Sequence, residues 1–136
     1  MTTTTPRNRS KGLNAGLWTA QGLLTLAFAG GGIWKLATPR AQLAEIFPWV
    51  GDTPPALLYV TSVFDILGGI GVLLPALTRV KPWLTPLAAL GCAALQVSAI
   101  VFHLSRGESG VAFNVVLLAL ALFVAWGRHR KAPITA

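Results

Sequence analysis

Residues 57–75 read LLYVTSVFDILGGIGVLLP, an apolar run with a single charged side chain, Asp65, near its middle. Placing a carboxylate at the centre of a bilayer costs at least about 3 kcal/mol, so it persists only where protein partners or water can meet it. Its neighbours show which way it faces. Leu58, Ser62, Asp65, Gly69 and Val72 recur at alternating intervals of 4 and 3, so the acid shares one helix face with small residues that let another helix approach closely. The carboxylate is expected to point into protein rather than lipid.

The rest of the chain supports a membrane reading of that run. At 136 residues, 54% hydrophobic and 11% charged, there are too few polar side chains to cover a water-soluble globule. The single cysteine, Cys92, lies inside an apolar run, which excludes an internal disulfide and dithiol chemistry within one chain. A net charge of +7 could suggest nucleic acid, but the basic residues gather at segment ends without aromatic interleaving, so none is expected as a partner.

Four spans are expected, at about 13–37, 56–74, 83–104 and 110–127. Residues 1–12, Thr-rich and basic, read as a disordered tail, and 128–136 as a short basic cytoplasmic tail. A cleaved signal peptide is the weaker reading of the first run, which is too long for one. Between the first two spans, Thr38-Pro39 offers an N-cap followed by proline, and Leu43, Ile46 and Phe47 follow at helical spacing until Pro48. That pattern predicts a short interfacial helix, with 49–55, WVGDTPP, as a turn-rich link. SRGES, 105–109, makes the last turn.

Orientation follows from the basic residues. With both termini cytoplasmic, Arg7, Arg9, Lys11, Arg79, Lys81, Arg128, Arg130 and Lys131 fall inside, leaving Lys35, Arg40 and Arg106 outside. Tryptophan placement agrees, with Trp18, Trp83 and Trp126 at the inner boundary and Trp34 and Trp49 at the outer one.

Every span carries a 4-3 seam. The first has Asn14, Trp18, Gln21, Thr25, Phe28, Gly32 and Lys35; the third, Thr85, Ala89, Cys92, Gln96, Ala99 and His103; the fourth, Gly110, Asn114, Leu117, Ala121 and Val124. The fold class is therefore all-α, a left-handed four-transmembrane-helix bundle with the seams inward. At 1.5 Å per residue, Asp65 lies roughly 13 Å below the outer boundary, with Gln96 near that level and Lys35 and His103 at the mouth. An outward-opening pocket is expected, with Asp65, His103 and Lys35 as candidate catalytic groups and Gln96, Asn114 and Gly69 as candidate ligand contacts. The plainer alternatives are a helix-joining carboxyl for Asp65, snorkelling for Lys35, helix capping for His103 and interhelical hydrogen bonds for Gln96 and Asn114. No metal site is expected, because His129, the other histidine, lies in the tail.

FAGGGIWKL at 28–36, the acid of Asp65 followed by Gly68-Gly69 and Gly71 up to Pro75, and then Thr78-Arg79 are similar to the DoxX-like family of small four-helix membrane proteins. Members more commonly carry glutamate at the position of Asp65. The resemblance implies a multi-pass plasma membrane protein, in a bacterial cell an inner membrane protein, of a group associated with quinol oxidation, thiosulfate:quinone oxidoreductase and stress-responsive oxidoreductase complexes. A quinone or another hydrophobic small molecule would be its ligand, and an oxidoreductase subunit or a second copy of the chain its partner. Without haem, flavin or thiol-pair motifs, electrons would have to be carried by a bound quinone or that subunit. Two other classes stay open: an isomerase or cyclase for an isoprenoid-like lipid with Asp65 as proton donor, and a structural or transport subunit without catalysis.

Overall fold

The computed structural model describes residues 4–108 and 110–134, so the expectations for 1–3, Ser109 and 135–136 fall outside it. The described residues form helices and their connections. In order these are α1 (Thr4–Thr25), a π-helical turn (Leu26–Gly30), α2 (Gly31–Ala37), α3 (Arg40–Ile46), α4 (Pro48–Asp52), α5 (Pro55–Thr78), α6 (Leu84–Ser105), α7 (Ala112–Trp126) and a second π turn (Gly127–Lys131).

Three helical segments are long and apolar enough to cross a membrane, Pro55–Thr78, Leu84–Ser105 and Ala112–Lys131. The first apolar run is divided between α1, the π turn and α2, and α1 also takes in the basic residues from Arg7 to Lys11. The tail expected over 1–12 is thus helical from Thr4 onward, because extending an existing helix adds one hydrogen bond per residue and needs no new nucleus.

Cross-helix contacts define the packing. Lys35 meets Asp65, Thr25 meets Gly69 and Gln21 meets Val72, so the α1–α2 rod runs antiparallel to α5. Gly68 faces Cys92 and Gly71 faces Ala88, which sets α6 antiparallel to α5. After α6 the chain returns along α7, and the π turn that follows packs against the C-terminal half of α1 at Leu17 and Gln21. The result is an up-down-up-down bundle.

The seams read from the sequence point inward. Leu58, Ser62, Gly69 and Val72 of α5, Thr85, Ala89, Cys92 and Gln96 of α6, and Leu117, Ala121 and Val124 of α7 are all buried. Outside, Leu67, Val101, Phe113 and Val116 are more than half exposed, an apolar outer face around a partly polar interior. That arrangement suits hydrocarbon and would be penalised in water. Ser62 and Ser98 on the spans satisfy their hydroxyls locally, donating to carbonyls four residues back.

The connection between α2 and α5 departs from expectation. Thr38 closes α2, its hydroxyl donating to Trp34 O at 2.7 Å, and α3 starts at Arg40 after the extended Pro39. Pro48 ends one pattern and opens another, since proline at a first helical position gives up an N–H that would have had no partner. The link expected at 49–55 therefore contains α4. Leu43, Val50 and Leu58 form a small second core that fastens α3 and α4 over the end of the bundle. Further on, α5 continues past the expected stop at Leu74, through Pro75, to Thr78.

Candidate functional site

Beneath α3 and α4 the bundle opens into a cavity of about 670 Å³, a size suited to a small organic ligand. Its wall is mostly apolar and aromatic, including Phe28, Trp34, Phe47, Trp49, Phe102 and Phe113. Edge-on contacts of Trp34 with Phe47 at 6.1 Å and of Trp49 with Phe102 at 6.0 Å brace these rings. The polar side chains arrive from separate helices: Lys35 from α2, Asp65 from α5, Gln96 and His103 from α6, and Asn114 from α7.

They arrive as pairs. Lys35 Nζ donates to Asp65 Oδ2 at 2.6 Å, with each side chain 17% exposed. Asn114 Nδ2 donates to Gln96 Oε1 at 2.8 Å, joining α7 to α6. His103 Nδ1 lies 2.7 Å from Glu108 Oε1, and Arg106 reaches both Glu108 at 3.5 Å and Asp52 at 2.8 Å. Glu108 lies outside the spans, and there the hydrogen bond to His103 and the charge of Arg106 hold its carboxyl below the ordinary range.

Five of the six residues singled out from the sequence line one cavity. Two details differ. Asp65 shares the cavity with Gln96, as its depth implied, but its bonded partner is Lys35, which was expected at the mouth and turns inward. The reach of a lysine stem from the last turn of α2 outweighs the separation in depth counted along the backbone. The second difference is Gly69, which lies outside the cavity lining and serves packing: a Cβ there would stand 2.5 Å from Ala29 N, and its carbonyl accepts from Thr25 at 2.7 Å. The π turn carrying Ala29 comes that close only because position 69 has no side chain.

Asp52 was missed because its partner Arg106 is 54 residues away, and Glu108 because a charge in a turn reads as solvated even though His103 and Arg106 lie close to it in sequence. Arg128 was missed for another reason, that a basic residue after an apolar run reads as a flanking tail. It is 3% exposed, and its guanidinium donates to Gln21, Asn14 and Ala132 O.

A bundle that is apolar outside, with three spans and an interior cavity edged by paired polar side chains, defines a helical integral membrane protein. Residues 19–124 match the family model described as the DoxX-like family, and the chain belongs to that family. No curated protein and no solved structure matches it.

Proposed function

We propose that the chain binds a hydrophobic small molecule with a polar carbonyl head, a quinone, in the cavity beneath α3 and α4, as a component of a membrane oxidoreductase system. The observation that carries this reading is the convergence of Lys35, Asp65, Gln96, His103 and Asn114, from four helices, on one mostly apolar cavity of about 670 Å³. Polar groups used only to join helices could be spread along the seams; here they gather around space. An ammonium and amide N–H groups could donate to a carbonyl oxygen, and the aromatic rings could cover a flat apolar ring. Histidine and lysine beside it are suited to exchanging protons with water. In the same reading, the α1–α2 rod is a fourth span, since it lies antiparallel against α5 from Gln21 to Lys35. Both termini face the cytoplasm of a bacterial plasma membrane, by the excess of basic residues at that end, and α3 and α4 lie at the outer interface.

Titration of the purified protein with a soluble quinone analogue tests the ligand. Emission from Trp34 and Trp49 should be quenched saturably, and Asp65→Asn should weaken binding by roughly tenfold, about 1.4 kcal/mol. Absence of quenching, or equal affinity in the two proteins, would exclude the site. Turnover of an isoprenoid-like lipid by the chain alone would replace the reading with an isomerase or cyclase. Single cysteines, Ser10→Cys and Thr53→Cys in a Cys92→Ser background, test the topology: labelling of the first from outside intact cells would overturn it.

A further inference from the structure

At the end of the bundle opposite the large cavity, Arg128 presents an accounting problem. A guanidinium has five N–H donors. Nε donates to Gln21 Oε1 at 2.7 Å, and Nη1 donates to Asn14 Oδ1 at 2.7 Å and to Ala132 O at 2.8 Å. The group also stacks over Trp18, 4.9 Å from the ring centroid. Nη2, though buried, has no acceptor among the described residues, which leaves two N–H groups and the charge itself unanswered.

The charge has no side-chain carboxylate near it. The chain contains four acidic residues, Glu45, Asp52, Asp65 and Glu108, and Asp65 is bonded to Lys35 near the other end, where α3, α4 and the α6–α7 turn hold the rest. The sequence around Arg128 deepens the excess, since Arg130 and Lys131 follow within three residues and Arg79 and Lys81 lie in the α5–α6 turn at this end. A buried cation without a counter-charge is costly unless an anion is supplied from outside the chain.

There is room for one. Arg128 and His129 line a second cavity of about 340 Å³ together with Pro82, Trp83, Pro86 and Pro133. The prolines matter chemically: they bring no backbone N–H and no acid, leaving the arginine and histidine as the groups able to recognise a charged ligand. Two remaining N–H groups of a guanidinium match the oxygens of a phosphoryl group. Trp18 at the arginine and Trp83 in the cavity wall belong to the aromatic set at this boundary, the depth at which lipid phosphates lie.

We propose that the cavity between the start of α6 and the second π turn binds a phosphoryl anion, with Arg128 as its principal contact and His129 beside it. The anion completes the hydrogen bonding of Arg128 and locks the C-terminal turn of α7 to α1 and α6. Lipid phosphodiester and free inorganic phosphate share this chemistry, and the experiment separates them.

Thermal unfolding is followed for the full chain in nanodiscs of phosphatidylcholine, in nanodiscs containing phosphatidylglycerol, and in phosphatidylcholine nanodiscs with millimolar inorganic phosphate. The wild type should gain roughly 4 °C or more with phosphatidylglycerol if the ligand is a lipid head group, or with inorganic phosphate if it is the free ion. The gain should vanish in Arg128→Gln and in His129→Glu, which supplies a carboxylate in the cavity while keeping every bond of Arg128, and should persist in Arg79→Gln, which removes an exposed charge from the same end. Should Arg128→Gln fail to fold, His129→Glu against Arg79→Gln decides. No gain in the wild type, or a loss of equal size in His129→Glu and Arg79→Gln, would overturn the proposal, the second by assigning the effect to general surface charge.

Discussion

At the end of the bundle covered by α3 and α4, Lys35 rests on Asp65, Arg106 on Asp52 and Glu108, and His103 on Glu108. At the opposite end Arg128 is surrounded by two amides, a carbonyl and an indole, with no carboxylate among the described residues. Both arrangements hold a charge inside an apolar bundle, but they fail differently. An ion pair that loses one partner leaves a bare opposite charge behind; an amide-held guanidinium that is removed leaves only neutral acceptors. The paired end can thus be neutral and admit an uncharged ligand head, whereas the unpaired end carries a standing demand for an anion.

The largest expected effect lies at the paired end. Asp65→Leu leaves the Lys35 ammonium half-buried without its partner and should cost about 3–5 kcal/mol, read as a lowered unfolding midpoint in detergent. The double variant Lys35→Met with Asp65→Leu should recover most of that loss, because no charge remains. A double variant as unstable as the single one would show that the pair is not a unit. Asp65→Asn, which keeps an acceptor for the ammonium, should fall between wild type and Asp65→Leu.

Arg128→Ala comes next, at about 2–3 kcal/mol, from hydrogen bonds to a charged group and the lost cover over Trp18. Here replacing Gln21 by Leu as well should give no rescue, since Gln21 also donates to Val72 O at 2.8 Å and ties α1 to α5. A rescue as large as that expected for the Lys35 and Asp65 pair would erase the distinction between the two ends.

A neutral pair sharpens the scale. Asn114→Leu removes the donor to Gln96 and should cost about 1 kcal/mol, as interhelical amide bonds in membranes commonly do. A loss as large as that of Asp65→Leu would mean that this pair, not the ion pair, holds the cavity open.

The smallest effect is a pH dependence at the cavity mouth. Glu108 is held below its ordinary value of 4.5, first by the hydrogen bond to His103 and then by Arg106. Its folded-state value is depressed, so the stability it contributes is present above pH 4.5 and is lost as pH falls through the lower folded value. The unfolding midpoint of the wild type should fall more steeply than that of Glu108→Gln in that acidic window, while the two run parallel at higher pH. Identical profiles would remove Glu108 from the account.

Much of this was legible in the sequence because it depends on local spacing. The 4-3 recurrence of Leu58, Ser62, Asp65, Gly69 and Val72 was enough to turn the acid inward, since a helical face is set by 3.6 residues per turn whatever surrounds it. The same holds for Gln96 and Asn114, each on the seam of its own helix. Spacing could also place Gly69 on the inner face without saying whether ligand or backbone would meet it. The answer was the π turn at Leu26–Gly30, which presses Ala29 against that glycine.

What the sequence by itself determined was that the chain carries runs apolar enough for a membrane, which faces look inward, and that an acid sits on one of them. All of these follow from composition and period along one helix. Only the tertiary structure decided who meets whom: Lys35 with Asp65 across 30 residues, Arg128 with Gln21 across 107. A side chain of four or more bonds can swing toward solvent or into a bundle at little intrinsic cost. For Lys35 and Arg128 that choice depended on a neighbouring helix offering an acceptor, and a neighbour's position is absent from any local pattern.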